Sequence, residues 1–169
     1  MSQALKYLSA YPQALQQQIQ TLIHEQRLAP YLLKKYPNKH DVCSDKSLRD
    51  YVMSVKNRYM KKSQPVNHIR YDKKLHVINN ALGMNSYMTK AHGGKLKTKN
   101  SIRISSIFQA APEEFLNMIV VHELAHLKER EHDKAFYQLC SHMQPEYHQL
   151  EFDTRVYLTE LELNGPIYS

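Results

Sequence analysis

The sequence predicts an α+β fold with a helical N-terminal third, a small antiparallel sheet, and a buried helix followed by two C-terminal helices. Three observations carry this reading. Apolar residues recur at helical spacing through residues 12–62, they alternate with polar ones at 69–77 and 101–105, and helical spacing returns from Pro112 onward. At 169 residues the chain fits a single domain, 1–169, with a helical part at 1–62 and a core at 63–169.

Pro12 starts the first helix at a position where its missing N–H costs nothing, and Leu15, Ile19, Leu22 and Ile23 share one face with glutamines opposite. A second amphipathic stretch runs from Ser47, a suitable N-cap, to Lys62, with Leu48, Tyr51, Val52, Val55 and Tyr59 on its buried side. These stripes are read as core packing. The period then changes. Ile69 and Tyr71, then Leu75 and Val77, alternate around an Asp72-Lys73-Lys74 turn and predict a short hairpin. Residues 83–100, with Gly83, Gly93 and Gly94 among polar and basic residues, read as a loop or irregular strand ends, and Ser101–Ser105 reads as a half-buried strand.

Pro112 followed by Glu113 and Glu114 marks a helix start, because carboxylates favour the positive end of the helix dipole. The residues from Phe115 to Leu127 make this helix apolar on nearly every side, which places it at the centre of the core. Asp133 is positioned to cap a following helix that buries Phe136, Leu139, Cys140 and Met143. Pro145 starts the last helix, and Asn164-Gly165-Pro166 stops it.

Composition excludes several classes. The chain is 42% hydrophobic and 23% charged, as in soluble globular proteins, and no run approaches the length of a membrane span. The N-terminal residues lack the layout of a secretory signal, and Cys43 and Cys140 are far apart without metal-binding spacing, so a cytoplasmic setting is expected. The net charge of +7 is uneven: residues 1–55 carry +3, residues 56–103 carry +11, and residues 104–169 carry −7. A basic middle could attract a polyanion such as nucleic acid or a nucleotide, although solvated lysine-rich turns have the same composition.

The central helix contains His122-Glu123-Leu124-Ala125-His126, an HExxH pattern. Imidazoles four residues apart lie about 40° apart around a helix, so both reach one Zn²⁺ from one face, and the intervening glutamate is placed to act as general base. The central helix is therefore read as a zincin-type catalytic helix. A catalytic zinc takes three protein ligands and leaves a position for water. His132, just beyond the helix, is the chosen third ligand. Glu146, separated from His126 by nineteen residues, a spacing that thermolysin-like enzymes use, competes with it, and Glu151, Asp153, His142 and His148 are further alternatives. Asp133 suits a cap better than a ligand.

The run Ile119–Lys128 followed by His132-Asp133-Lys134-Ala135-Phe136-Tyr137 resembles the YgjP-like family of zinc metallopeptidase-like proteins, and shares its logic with SprT-like and WLM-type metallopeptidases. The similarity is good from about Ser101 to Tyr137 and faint to residue 160. It implies His122, His126 and His132 as ligands of Zn²⁺ and Glu123 as the catalytic glutamate. Two departures stand out: there is no tryptophan where the family usually has Trp-Gly-Ser-Cys, Leu82-Gly83-Met84-Asn85-Ser86 being the nearest equivalent, and the N-terminal third is helical where typical members begin with strands.

The expected function is a zinc-dependent metallohydrolase, foremost an amide hydrolase of metallopeptidase type using a zinc-bound water with Glu123 as general base. An extended peptide would add to an edge strand at Ile102–Ser106, with Tyr137, Tyr147, Tyr157 and His148 available to stabilise the oxyanion. The resemblance also implies an alternative, nucleoside triphosphate pyrophosphatase activity. A third reading is a nucleic-acid-associated protein-processing module that binds through residues 56–103. The expected partners are thus a peptide, protein or nucleotide substrate, with no membrane; the oligomeric state is left open.

Overall fold

The computed structural model describes residues 3–75, 84–92 and 95–169, the strands within 84–99 by their backbone pairing. A short 3-10 helix, Gln3–Leu8, precedes three helices, α1 (Gln13–His24), α2 (Leu28–Lys35) and α3 (Asp45–Tyr59). Strands β1 (His68–Asp72), β2 (Met84–His92) and β3 (Lys95–Ser105) follow, then a 3-10 turn, Ser106–Ala110. Helices α4 (Glu113–Ala125), α5 (Lys134–Met143) and α6 (Tyr147–Asn164) complete the chain. The α+β class and the helical N-terminal region are as expected.

The helical third holds one more helix than the periodicity indicates. Helix α1 ends at a left-handed Gln26 (φ 57°), and α2 begins two residues later with Pro30 in its first turn, where no backbone N–H is needed. Eight residues without a side-chain cap leave little sequence signal. Helix α3 starts earlier than expected. Ser44, not Ser47, is the N-cap, and the two serines form a reciprocal capping box: the Ser47 N–H donates to Ser44 Oγ, and the Ser44 N–H donates to Ser47 Oγ, each at 3.0 Å.

The sheet is small but mixed, in the order β1-β3-β2. Strands β2 and β3 form an antiparallel hairpin from Met84↔Arg103 to His92↔Lys95, so residues 84–92 and 95–100, read as a loop or irregular strand ends, are strands. They contain few apolar residues, so the alternation that betrays a half-buried strand is faint there. Strand β1 runs parallel to β3, from His68↔Ser101 to Asp72↔Ser105, not antiparallel. The turn after it is real, with the Lys74 N–H donating to Asp72 Oδ1 at 2.9 Å, but Val77, the far arm of the expected hairpin, lies outside the described residues. Alternation identifies a strand and not its partner, and this partner is about thirty residues away. The pairing also removes the expected edge. Strand β3 is the middle strand, engaged on both sides from Ser101 to Arg103.

Helix α4 lies at the centre, with Phe115, Leu116, Met118, Ile119, Val120, Val121, Leu124 and Ala125 all 0% exposed. Each such side chain contributes about 1.5–3 kcal/mol by leaving water. Phe115 packs on Tyr36 of the segment after α2 and Tyr157 of α6, at ring-centroid distances of 4.7 and 5.4 Å. The entry to α4 is clamped by buried His40. Its Nδ1 accepts from the Val42 N–H at 2.9 Å, so the proton sits on Nε2, which donates to the Phe108 carbonyl at 2.6 Å. Among the described residues no helix is long and apolar enough to cross a membrane.

Helix α6 is tied to α2 by Asp153, whose fully buried carboxylate accepts from Lys35 Nζ at 2.8 Å and from the Tyr36 hydroxyl. Removing the carboxylate leaves the buried Tyr36 hydroxyl without its acceptor, while the more exposed Lys35 ammonium turns to water. Asp153→Ala is expected to lower unfolding stability by about 3 kcal/mol, as a reduced denaturant midpoint, whereas Asp50→Ala, in the exposed Lys46–Asp50 pair, should change it by less than about 1 kcal/mol.

Candidate metal centre

The site forms where α4 stops being a helix. His122 lies in its last turn, and His126 is the C-cap at φ −66° and ψ −14°. The following backbone tightens, with N–H groups of Leu127, Lys128 and Glu129 donating to the carbonyls of Leu124, Ala125 and Ala125. That turn carries the Glu129 carbonyl to within 2.9 Å of His126 Nδ1. The chain then doubles back through His132 into α5, whose N-cap is Asp133, its carboxylate accepting from the Phe136 N–H at 2.9 Å. The cap expected of Asp133 is thus observed, and it sets the register that returns His132 to the helix end.

Three imidazole nitrogens converge. His126 Nε2 is 3.2 Å from His122 Nε2 and 3.0 Å from His132 Nε2, and the ligand atoms of the three residues lie within 4.8 Å of one another. A carbonyl only accepts, so His126 Nδ1 must carry the proton and its Nε2 presents a lone pair to the cluster. On the other side, His122 Nδ1 meets the Tyr147 hydroxyl at 2.7 Å. Burial and the neighbouring histidines hold His122 well below the usual imidazole range, and burial lowers His126, so both favour the neutral form that ligates metal. A tetrahedral ion with nitrogens at about 2.0–2.1 Å requires neighbouring nitrogens about 3.3 Å apart. The His126 spacings of 3.2 and 3.0 Å come close to that requirement, and with all three ligand atoms within 4.8 Å of one another these residues fit a divalent metal ion.

Phe136, 0% exposed, lies against all three rings, at centroid distances of 5.0, 4.5 and 4.9 Å from His122, His126 and His132. It reads from sequence as ordinary core; only its place three residues after the capping Asp133 hints at the second role. Accessibility is graded across the cluster: His122 is 2% exposed, His126 8%, and His132 lies in the exposed class, so the His132 side faces solvent. Glu123 is wholly buried beside His122, and that burial pushes its carboxyl up to about 8.

The alternative third ligands lie elsewhere. Glu146 is exposed at the start of α6, His142 packs on Tyr59, and His148 is exposed against Tyr137. Glu151 pairs with Arg155 at 3.2 Å, and Asp153 serves the α2–α6 tie. The candidate oxyanion donors also sort themselves. Tyr147 is fully buried and committed to His122, and Tyr157 is in the core against Phe115 and Tyr168, which leaves half-buried Tyr137 and exposed His148 beside the site. Burial pushes the Cys140 thiol up to about 12, so it is not a thiolate ligand.

Comparison with known proteins extends the resemblance seen in the sequence. The family described as YgjP-like, metallopeptidase domain, matches residues 14–153, which takes in the N-terminal helices that had looked foreign to it. A UTP pyrophosphatase of Escherichia coli (strain K12) is 55% identical over 159 residues, covering 94% of this chain and 95% of that protein. No solved structure gives a significant match.

The geometry leads to a direct measurement of bound metal. His132→Ala is expected to lower metal content well below the wild-type level, whereas Glu146→Ala leaves it unchanged. Tyr147→Phe, which keeps the ring and removes the hydroxyl beside His122 Nδ1, should weaken metal affinity about 10–100-fold in a competition titration.

Proposed function

The chain belongs to the YgjP-like metallopeptidase domain family, and from that premise we propose that it is a zinc-dependent hydrolase of nucleoside triphosphates, releasing pyrophosphate, with UTP the first substrate to test. His122, His126 and His132 are the proposed ligands and Glu123 the proposed general base. The observation that carries this reading is the convergence of three Nε2 atoms at the end of a buried helix, open on the His132 side, with Glu123 next to the first of them. Three neutral imidazoles suit Zn²⁺ better than Mg²⁺ or Ca²⁺, which prefer oxygen donors. When bound, the ion supplies Lewis-acid chemistry, acidifying water and offsetting charge on phosphate.

The chain's own residues do the rest. Burial favours the protonated form of Glu123, and a neighbouring cation would favour its carboxylate. In the carboxylate form Glu123 accepts the proton of the attacking water as the water oxygen bonds to phosphorus. The phosphoanhydride P–O bond breaks to release the nucleoside monophosphate and pyrophosphate, to which the proton passes. Burial of Glu123 keeps bulk water from competing for that proton. Tyr147 and the Glu129 carbonyl hold His122 and His126 in their orientations, while Phe136 fixes the spacing of all three rings.

Amide hydrolysis, the first expectation from the sequence, uses the same ligands and base, and the family's description as a metallopeptidase domain keeps it as the second reading. Two observations favour phosphoanhydride hydrolysis. The 55% identical relative is named for a nucleotide reaction, and Ile102 and Arg103, at the start of the segment where an extended peptide was expected to add, are already paired on both sides.

The metal-loaded protein is expected to convert UTP to UMP and pyrophosphate, to lose activity on chelation, and to recover it with Zn²⁺. Glu123→Gln should keep the metal and slow turnover about 10²–10⁴-fold. A Glu123-dependent cleavage of an unfolded protein, with no nucleotide turnover, would return the site to amide chemistry.

A further inference from the structure

A cleft of about 630 Å³ opens beside the candidate metal centre, between the end of α3 with the turn after it and the turn that leaves α4. Its lining includes Arg58, Tyr59, Lys61, Lys62, Lys128 and Leu139. Four cations therefore face one concavity, and no carboxylate lines it. Several other basic residues of the fold are matched by acids: Arg70 and Arg103 by Asp72, Lys35 by Asp153, Arg155 by Glu151. Among the described residues none of the four has an acid within ion-pair distance, and residues 76–99 contain no Asp or Glu that could supply one.

We infer that this cleft is the nucleotide-binding subsite, taking the phosphates of a nucleoside triphosphate on Arg58, Lys61, Lys62 and Lys128 and its base against Tyr59. The inference rests on the nucleotide reading proposed above. The cleft falls within the usual 300–1,000 Å³ of small-ligand sites, roughly the scale of one nucleotide and too confined for a duplex. Like charges crowded into one concavity repel one another and focus a positive field, which a polyanion relieves. Tyr59 is half-buried and held in place, with the Arg58 guanidinium over its ring at 5.1 Å and His142 edge-on at 5.7 Å, so it offers a fixed aromatic surface for stacking.

The cleft is joined to the histidines through the chain. Lys128 is two residues beyond His126, and Leu139 is one helical turn along α5 from Phe136, which stacks on His126 at 4.5 Å. The cleft and the cluster therefore share the turn that leaves α4, with Lys128 on the cleft and His126 in the cluster. The four cations do not ligate the metal, so they affect substrate capture and leave the metal and Glu123 in place.

The test uses the full-length metal-loaded protein, with UTP turnover and binding of α,β-methylene-UTP measured side by side over a salt series. Lys61→Ala/Lys62→Ala and Lys128→Ala are expected to raise KM and the analogue Kd about tenfold or more, change kcat less than about threefold, and flatten the salt dependence. Lys34→Ala, an exposed charge on α2, serves as the control and should leave all of these unchanged. Tyr59→Ala should weaken the analogue and Tyr59→Phe should restore it. If the wild type turns over UTP and the lysine variants keep its KM, the cleft is not the subsite although the proposed reaction stands. If the wild type neither binds nor hydrolyses nucleotide, the reaction fails and the subsite with it. Loss of single-stranded DNA binding with analogue affinity intact would make the cleft a nucleic-acid surface and overturn the inference.

Discussion

Helix α4 carries polar residues into the core: His122, Glu123 and His126 are 2%, 0% and 8% exposed, on a helix whose other buried residues are all apolar. Burying such groups costs about 1–3 kcal/mol each unless they are satisfied, and the arrangement of the C-terminal half follows from that demand. The helix must end at His126, because only the turn beyond it brings the Glu129 carbonyl to Nδ1. Helix α6 must begin where it does, because its first residue, Tyr147, meets His122. Helix α5 must start at an Asp cap, because that register puts His132 before the cap and Phe136 under the rings. Each imidazole on α4 thus has one nitrogen engaged by the protein and the other turned inward. The inward nitrogens are 3.0–3.2 Å apart at their closest, near the spacing that a shared cation requires.

That burial also explains why parts of the fold far from the site bear on it. Helix α4 is held at its start by the His40 clamp and along its length by Phe115 against Tyr36 and Tyr157. Helix α6, which delivers Tyr147, is held to α2 through Asp153. The N-terminal helices therefore act as the outer support of the histidine cluster. Their inclusion in the family match from residue 14 is consistent with a structural unit that needs them.

Much of this was legible in the sequence, for a physical reason. The HExxH spacing, the apolar surround of α4, the Asp133 cap and the choice of His132 all rest on local geometry, which a single sequence encodes directly. What was not legible depends on partners distant in the chain. The parallel pairing of β1 with β3, and hence the central position of β3, cannot be read from alternation alone. The roles of Tyr147 and Phe136 were hidden because a buried aromatic at helical spacing looks the same whether it fills core or orients a histidine. The end of β3 at Ser101–Ser105 reads as a strand, but its extension into a hairpin over 84–100 reads only as a loop or irregular strand ends, because that stretch lacks the apolar alternation on which strand recognition depends.

The charge asymmetry gains a location in the fold. A net +11 over residues 56–103 says only that a polyanion is favoured somewhere. In the structure, part of that charge is matched internally, with Arg70 and Arg103 on Asp72, and the unmatched Arg58, Lys61 and Lys62 collect with Lys128 around one cleft. Lys128 comes from the acidic half of the chain, so no reading of the basic segment alone would have included it. It is there because α4 has to unwind after His126, and the same unwinding satisfies His126 Nδ1. One backbone turn therefore completes the histidine cluster and carries a cation to the neighbouring cleft, which makes the distance between metal and phosphate-binding charge a property of how that helix ends.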